Sequence, residues 1–533
     1  MLRQSLVISF LFLLCAGLLF AGGQQESAKG PDVITVMTWP DECETPLSER
    51  PIIQYLEETL NVKIEWKMFP HAERGTVIPL MIAAGGEMPD LFPSFISQDT
   101  SYSELEEKGV IIAWSDFMEA GDMPLTVAKL NKPENAGVKN QLTDLDTGKI
   151  YGLPPFSPTS LLLWTDYIRG DWLEAFGMEI PGTVEEYRDY LRAVKTRDPN
   201  GNGLADEVPW QNFYSGVSWI SQFVRMFGLV WPDYSWSTFG HMYWAVVDSE
   251  RVVFAPTDER YKAMLQYLNS LWKEGLINQE QFNMDSPKFN ASVSNNTLGA
   301  QQMWPSAIVG MTENLRKLDP EAVWLPIPYP IDTRYTQPGE RKYAFRGPVS
   351  FTWLLSAKGK NTEAAVRLAE FVFGNEEFQF TTEFGLEGVH HVIGEDGFPV
   401  FIGEWADMTT TDREAALGSG CGRLMVELPE ANMIRRIETD PIFKEYKEYL
   451  AKITVNPAPM WFMNEQQQAL KTDVANAIYT YIDENIMNFI IGNRPFSEWD
   501  EYVETINKEA GDKIEAARKE FQQYFDKNIK SMY

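Results

Sequence analysis

The sequence predicts an α/β protein of two lobes. Three observations carry that expectation. The chain has 533 residues, more than one ordinary core encloses. Strand and helix alternate within its first part, as βαβ units require. Neither a repeat of fixed period nor a low-complexity linker divides it, so the lobes are joined by crossovers and are not strung out as beads.

Before the first strand comes a leader, "MLRQSLVISFLFLLCAGLLFAGGQQESAKG". Arg3 supplies a positive n-region and Leu6 to Phe20 an apolar h-region. Ala21 and Gly23 are the small residues before a cut at Gln24, so residues 1–23 are expected to be a signal peptide. The chain is then exported, to the periplasm or an extracytoplasmic face. Cys15 follows Leu14, where lipid attachment wants a small residue, so a lipid anchor at Cys15 is disfavoured. Cys43 and Cys421 remain, and whether they pair or stay free thiols is open.

The elements follow in order. "DVITVMTWP" is a β-rich run ending at Trp39 and Pro40, "PIIQYLEETL" is a helix, and "NVKIEWKMFP" alternates Val62, Ile64, Trp66 and Met68 at strand spacing. Strand, helix, strand implies a largely parallel sheet. "GTVIPLMIAAGGEMPDLF" adds a helix, a Gly-Gly break and a strand beginning near Asp90. "TVEEYRDYLRAV" opens with a capping box from Thr183 to Glu186 and puts Val184, Tyr187, Leu191 and Val194 on one helical face. "DERYKAMLQYLNSLWKEGL" aligns Tyr261, Met264, Leu265, Leu268 and Trp272 and stops at Gly275. The last 70 residues read as helical throughout.

Composition narrows the function. With 46 basic and 76 acidic residues the formal net charge is −30, which repels nucleic acid and anionic lipid. The 17 Trp exceed what a core needs, and flat amphipathic rings suit a binding cleft. Trp66, Trp172, Trp272 and Trp499 lie on amphipathic elements and are read as core, and Arg169 and Asp171 as structural. No G-x-S-x-G, H-E-x-x-H or C-x-x-C motif appears, and the four His have no metal-ligand spacing.

Several stretches together carry a resemblance. "IAAGGEMPDLF", "DTGKIYGLP", "YIRGDWLEAFG", "KEGLINQEQF", "GLEGVHH" and "FIIGNRPFSEWDEYV" resemble the extracellular solute-binding proteins of ABC carbohydrate importers (family 1 type). They run from about residue 31 to 530, in the long subgroup similar to the oligosaccharide- and alginate-binding members. The resemblance implies a two-lobed periplasmic-binding-protein fold (type II) with the ligand in the cleft between lobes joined by hinge crossovers, and closure about that hinge. It places an N-terminal lobe at 31–155 plus 325–395 and a C-terminal lobe at 156–324 plus 396–533. It implies an oligosaccharide ligand, ABC permease subunits as partners, a monomer, and no catalysis.

Sugar recognition needs aromatic faces and planar polar groups on loops at strand ends. The positions that meet this are Trp39, Asp90, Tyr151, Trp164, Asp166, Trp231, Trp236, Trp304, Arg346, Glu387 and His390. Each competes with a plain structural role: Asp90 with capping a turn, Arg346 with pairing an acid.

"RDPNGNGLADEVPW" follows the spacing of a calcium loop. With Asp198 as position 1, Asn200 and Asn202 fall at 3 and 5, Gly203 at 6 and Leu204 at 7. Pro209 stands where the closing glutamate belongs, leaving Asp206 and Glu207 to complete the shell. The alginate-binding members carry a similar loop, and the resemblance implies structural Ca2+ on Asp198, Asn200, Asn202, the Leu204 carbonyl, Asp206 and Glu207. The alternative is a pair of Asn-Gly turns that happen to be acidic. A secreted glycoside hydrolase or lyase, or a ligand-sensing domain of the same fold, are the other functions the composition allows.

Overall fold

The computed structural model describes residues 30–39, 45–70, 73–94, 101–153, 165–230, 243–303, 305–340, 343–344, 352–395, 397–408, 410–418, 454–455 and 464–532. Two sheets and two large cores organise it. In the first sheet Asp32–Thr38 lies parallel to Val62–Met68 and to Leu91–Ser94. Thr352–Ser356 then runs antiparallel beside Leu91–Ser94, and its other edge takes Ile111–Ile112 and Gly152–Leu153. The first helix, Pro51–Leu60, buries Ile52, Ile53 and Leu56 against Ile34, Val36 and Ile64 of the sheet. It stops at Asn61, in the left-handed conformation, and that sharp stop returns the chain to the sheet edge.

The second sheet has the order Trp324–Ile327, Thr165–Arg169, Leu298–Met303, Val208–Trp210. Its central strand Leu298–Met303 is buried along its whole length, as a strand covered on both faces must be. Helix Val184–Thr196 carries both halves of the expected capping box, and Val184, Tyr187, Leu191 and Val194 all enter the core. Helix Glu259–Lys273 ends where Gly275 takes a φ of +65°. The C-terminal helices, up to Trp499–Asn528, pack into this second core through Phe489, Trp499, Tyr502 and Phe521.

The structure corrects three expectations. Both sheets are mixed, not largely parallel, because the strands by which the chain enters each sheet from a crossover, 165–169 and 352–356, run antiparallel to the strands beside them. The boundary at 325 falls inside a strand of the second sheet, and Ile327, Tyr329 and Ile331 belong to the second core. The boundary at 396 falls too early, since Leu417 is packed with Ile34 and Ile53 in the first core and Arg50 Nη1 donates to the Ala415 carbonyl at 3.0 Å. Trp172 and Trp499 are buried as read, whereas Trp66 and Trp272 are only partly so. Among the described residues no helix is long and apolar enough to cross a membrane.

Candidate functional site

Register places particular ends of the two sheets opposite one another along the chain. Thr38, Ser94 and Leu153 finish their strands at one end of the first sheet, where Thr352 begins. In the second sheet Thr165 pairs with Met303 and Asp166 with Ile327, so these mark a single end. The chain leaves Leu153 and enters at Thr165, then leaves Ile327 and re-enters at Thr352. Two crossovers therefore join the same pair of strand ends, and ligands of open α/β sheets sit outside such ends. A further passage, 418–464, connects the two cores.

Of the residues expected at these ends, Trp39 is partly buried just past its strand, edge-on to Phe69 with ring centroids 6.0 Å apart. Asp166 is buried at the second end. Its Oδ2 accepts from Arg225 Nη2 at 2.6 Å and its Oδ1 from Gln302 Nε2. Burial pushes the Asp166 carboxyl up, opposed by the Arg225 charge. Arg225 lies 5.1 Å over the Tyr329 ring and keeps about a fifth of its side chain exposed (22 %). This Asp166–Arg225–Gln302 cluster lies at the second sheet end. Arg225 escaped the sequence reading because it lies in "FVRMFG", where apolar neighbours mask it; its pairing with Asp166 arises only from the fold.

Two expected residues are instead internal. Asp90 is buried, and both its oxygens are engaged: Oδ2 accepts from Thr35 N (2.8 Å) and Thr35 Oγ1 (2.6 Å), Oδ1 from Asn361 N (2.7 Å). The chain passes so close that a Cβ on Gly359 would lie 2.6 Å from Oδ1. Asp90 therefore ties three segments of the first lobe together. Tyr151 is likewise buried, its hydroxyl donating to Glu106 at 2.9 Å, and burial pushes its pKa up to about 12.

Glu387 is exposed and His390 buried, in the turn after Phe384. His390 Nδ1 accepts from Leu386 N at 2.8 Å, and its ring stands edge-on to Trp405 at 4.6 Å. Burial holds the His390 imidazole below its ordinary pKa. Glu387, not His390, is the side chain this turn offers to solvent. Trp164, Trp231, Trp236, Trp304 and Arg346 lie outside the described residues, as do Cys15, Cys43, Cys421 and the leader.

The acidic loop is folded on its own hydrogen bonds. Asp198 adopts a φ of +44°, and Gly201 and Gly203 also take positive φ. Asp198 Oδ2 accepts from Gly203 N (3.0 Å), Asn200 Oδ1 from Asn202 N (3.0 Å), and Asn202 Oδ1 from Leu204 N (2.7 Å). Asn202 Nδ2 donates to both Asp206 oxygens. Two oxygens receive nothing: Asp198 Oδ1 and Glu207 Oε1 are buried without a hydrogen-bond partner. Burial, and then the charges of Asp206 and Asp198, push the Glu207 carboxyl up. Buried acceptors facing like charge are the condition a hard cation relieves. No three His, Cys, Asp or Glu side chains of the described residues are gathered tightly enough to hold a metal as they stand, so a cation here would draw Asp206 from Asn202.

The decisive comparison is with known sequences. Residues 45–377 match the bacterial extracellular solute-binding proteins. The chain belongs to that family. Among curated members it is 27% identical over 314 residues to the fructooligosaccharide ABC transporter substrate-binding protein FusA of Streptococcus pneumoniae, covering 54% of this chain and 55% of that one. The matched region thus spans about half of that relative's length. It is 21% identical over 533 aligned residues to lipoprotein LipO of Bacillus subtilis, 96% and 97% of the two chains.

Solved solute-binding proteins share the two-lobed type II fold. The alginate-binding protein AlgQ2, solved without calcium ion, superposes with a TM-score of 0.66 at 18% identity, over 93% of this chain and 98% of that one. FusA, solved as an EF-hand mutant with fructo-nystose, superposes at 0.65 and 20%, over 93% and 100%.

Proposed function

We propose that this solute-binding protein is the substrate-binding component of an ABC importer. It captures an oligosaccharide between its lobes by hinge closure and delivers it to the membrane permease, with no bond made or broken. The observation that carries this reading is the pair of crossovers joining the same two strand ends, in a chain whose family consists of binding proteins. Two bodies linked at that edge close about it, as a hinge does. On this reading Trp39 and Glu387 from the first lobe meet Arg225 from the second, with Trp164, Trp231, Trp236, Trp304 and Arg346 completing the contacts. Asp166 already balances the Arg225 charge, and the net charge of −30 opposes a polyanion, so a neutral sugar is favoured.

The second part of the reading is Ca2+ on the 198–207 loop, held by Asp198, Asn200, Asn202, the Leu204 carbonyl, Asp206 and Glu207. The two unpartnered buried oxygens support it. The ion is a structural clamp beside the second sheet, since the next residues, Val208–Trp210, are a strand of that sheet. We place the protein outside the cytoplasm after removal of residues 1–23.

Thermal denaturation of the mature chain in calcium, against neutral and anionic oligosaccharides, tests the function. Ligand at about a hundred times its dissociation constant adds roughly 2.7 kcal/mol of apparent stability. Stabilisation by a sugar recovered intact supports a binding protein. Stabilisation that fades while the sugar is broken down makes it a hydrolase or lyase.

A further inference from the structure

The turn that carries Glu387 continues into a two-stranded hairpin, His391–Ile393 paired with Pro399–Phe401. One face of the hairpin is glued to the lobe. His391 and Phe401 are cross-strand partners on that face, and Phe384 packs against both, with centroids 5.9 and 5.8 Å away. Phe380 closes on His391 from the same side at 5.7 Å. Side chains alternate along strands, so Val392 and Val400, directly opposite one another, share the other face. That face is open: Val392 is 41% and Val400 40% exposed. Paired β-branched residues are the kind a sheet uses to bury surface, yet nothing among the described residues covers them.

Charge says what covers them. Residues 376–412 hold nine carboxylates, among them Glu387, Glu395, Glu404 and Asp407, and no Lys or Arg. Glu395 sits in the hairpin turn and Glu404 and Asp407 on the short helix after its second strand, all exposed. The next cation, Arg413, is folded away, 3.8 Å over the Phe401 ring and bonded to the Trp405 and Met408 carbonyls. An apolar strip with carboxylates at both ends of its hairpin repels a second copy of a chain carrying −30, an anionic bilayer and nucleic acid alike. It fits a polypeptide surface that offers apolar side chains flanked by Lys or Arg.

We propose that the open face of the 391–401 hairpin is a docking surface for a cationic external loop of the importer's membrane permease. The identity of that partner rests on the importer reading above; the surface and its chemistry do not. Strip and carboxylates have separate tasks: the valines exclude water at the contact, and the carboxylates steer the approach.

The test uses the full mature chain and the permease subunits of a carbohydrate importer from the same genome, reconstituted in neutral-lipid nanodiscs. Binding is read by interferometry, and sugar affinity by calorimetry on the same preparations. Wild-type docking is expected to weaken about tenfold between roughly 50 and 300 mM salt. Val392→Ser with Val400→Ser should weaken it by about tenfold, and Glu395→Lys with Glu404→Lys at least as much, with sugar affinity unchanged. Docking by both variants equal to wild type overturns the proposal, as does equal binding to nanodiscs without permease. A chain that binds sugar and docks independently of the hairpin overturns the surface and leaves the function standing. A chain that docks as described but binds no sugar overturns the carbohydrate reading and leaves the surface.

Discussion

Asp90 and the pair Asp198–Glu207 are carboxylates of one protein in opposite circumstances. Asp90 lies deep in the first lobe with three donors aimed at its two oxygens. Asp198 and Glu207 lie at the margin of the second lobe, each with one buried oxygen that no donor reaches. Burial alone therefore says little about what an acid is for. A carboxylate whose oxygens are matched by N–H and O–H groups completes the fold, whereas one left with a bare buried oxygen beside like charge does not.

The largest effect should come from removing the satisfied acid. Asp90→Ala strands Thr35 N, Thr35 Oγ1 and Asn361 N in the interior, a loss of about 3–5 kcal/mol by urea unfolding. Calcium should not alter it. A loss under about 1 kcal/mol would break the contrast, because Asp90 would then be dispensable to the fold.

Next comes the unsatisfied pair. Saturating calcium should stabilise the protein by about 2.7 kcal/mol at a hundred times the dissociation constant, with chelator reversing it. Glu207→Gln should remove most of that increment. In chelator the same variant should be no less stable than wild type, since the Glu207 carboxyl is raised by burial and by its acidic neighbours. The sign follows from the raised value: the contribution is present at acid pH and lost as pH rises through the folded pKa. Equal calcium stabilisation of wild type and Glu207→Gln would remove Glu207 from the shell.

What the sequence disclosed, and what it withheld, follows the same line. Helices Pro51–Leu60, Val184–Thr196 and Glu259–Lys273 were legible because caps, periodicity and end signals are local. The turns of the acidic loop were legible because Asn-Gly spacing is local too. The mixed sheets were not, since strand direction at 165–169 and 352–356 depends on where the chain crosses over from the other sheet. Asp90 and Tyr151 appeared at strand ends and so looked ligand-facing, but their partners Thr35, Asn361 and Glu106 are remote or silent in sequence. Arg225 was missed for the converse reason: its partner Asp166 is 59 residues away.

Glu274 sharpens the comparison as an intermediate case, an acid matched by cations at the surface. Arg192 holds its carboxyl down to about 2, with Arg188 adding a second guanidinium. A depressed carboxyl stabilises above its unfolded pKa, and the contribution fades as pH falls from about 4.5 toward 2. The side chains are partly exposed, so solvent screening reduces the expected loss in Glu274→Gln to about 1 kcal/mol at neutral pH. Wild type and variant should converge on acidification. A difference that persists at pH 2 would assign the loss to packing and not to the ion pairs.

The smallest effect should be the most discriminating for the loop. Leu204 is 60% exposed, and the calcium reading uses only its carbonyl, which every residue has. Leu204→Ala should therefore change stability by less than about 0.5 kcal/mol, with or without calcium. Leu204→Pro removes the N–H that Asn202 Oδ1 holds at 2.7 Å and fixes φ, so the turn that aims the carbonyl is lost and calcium stabilisation with it. If the proline variant kept its full calcium increment, no backbone ligand would lie at 204. The ion would then rest on side chains alone, and the spacing that first marked the loop would be coincidence.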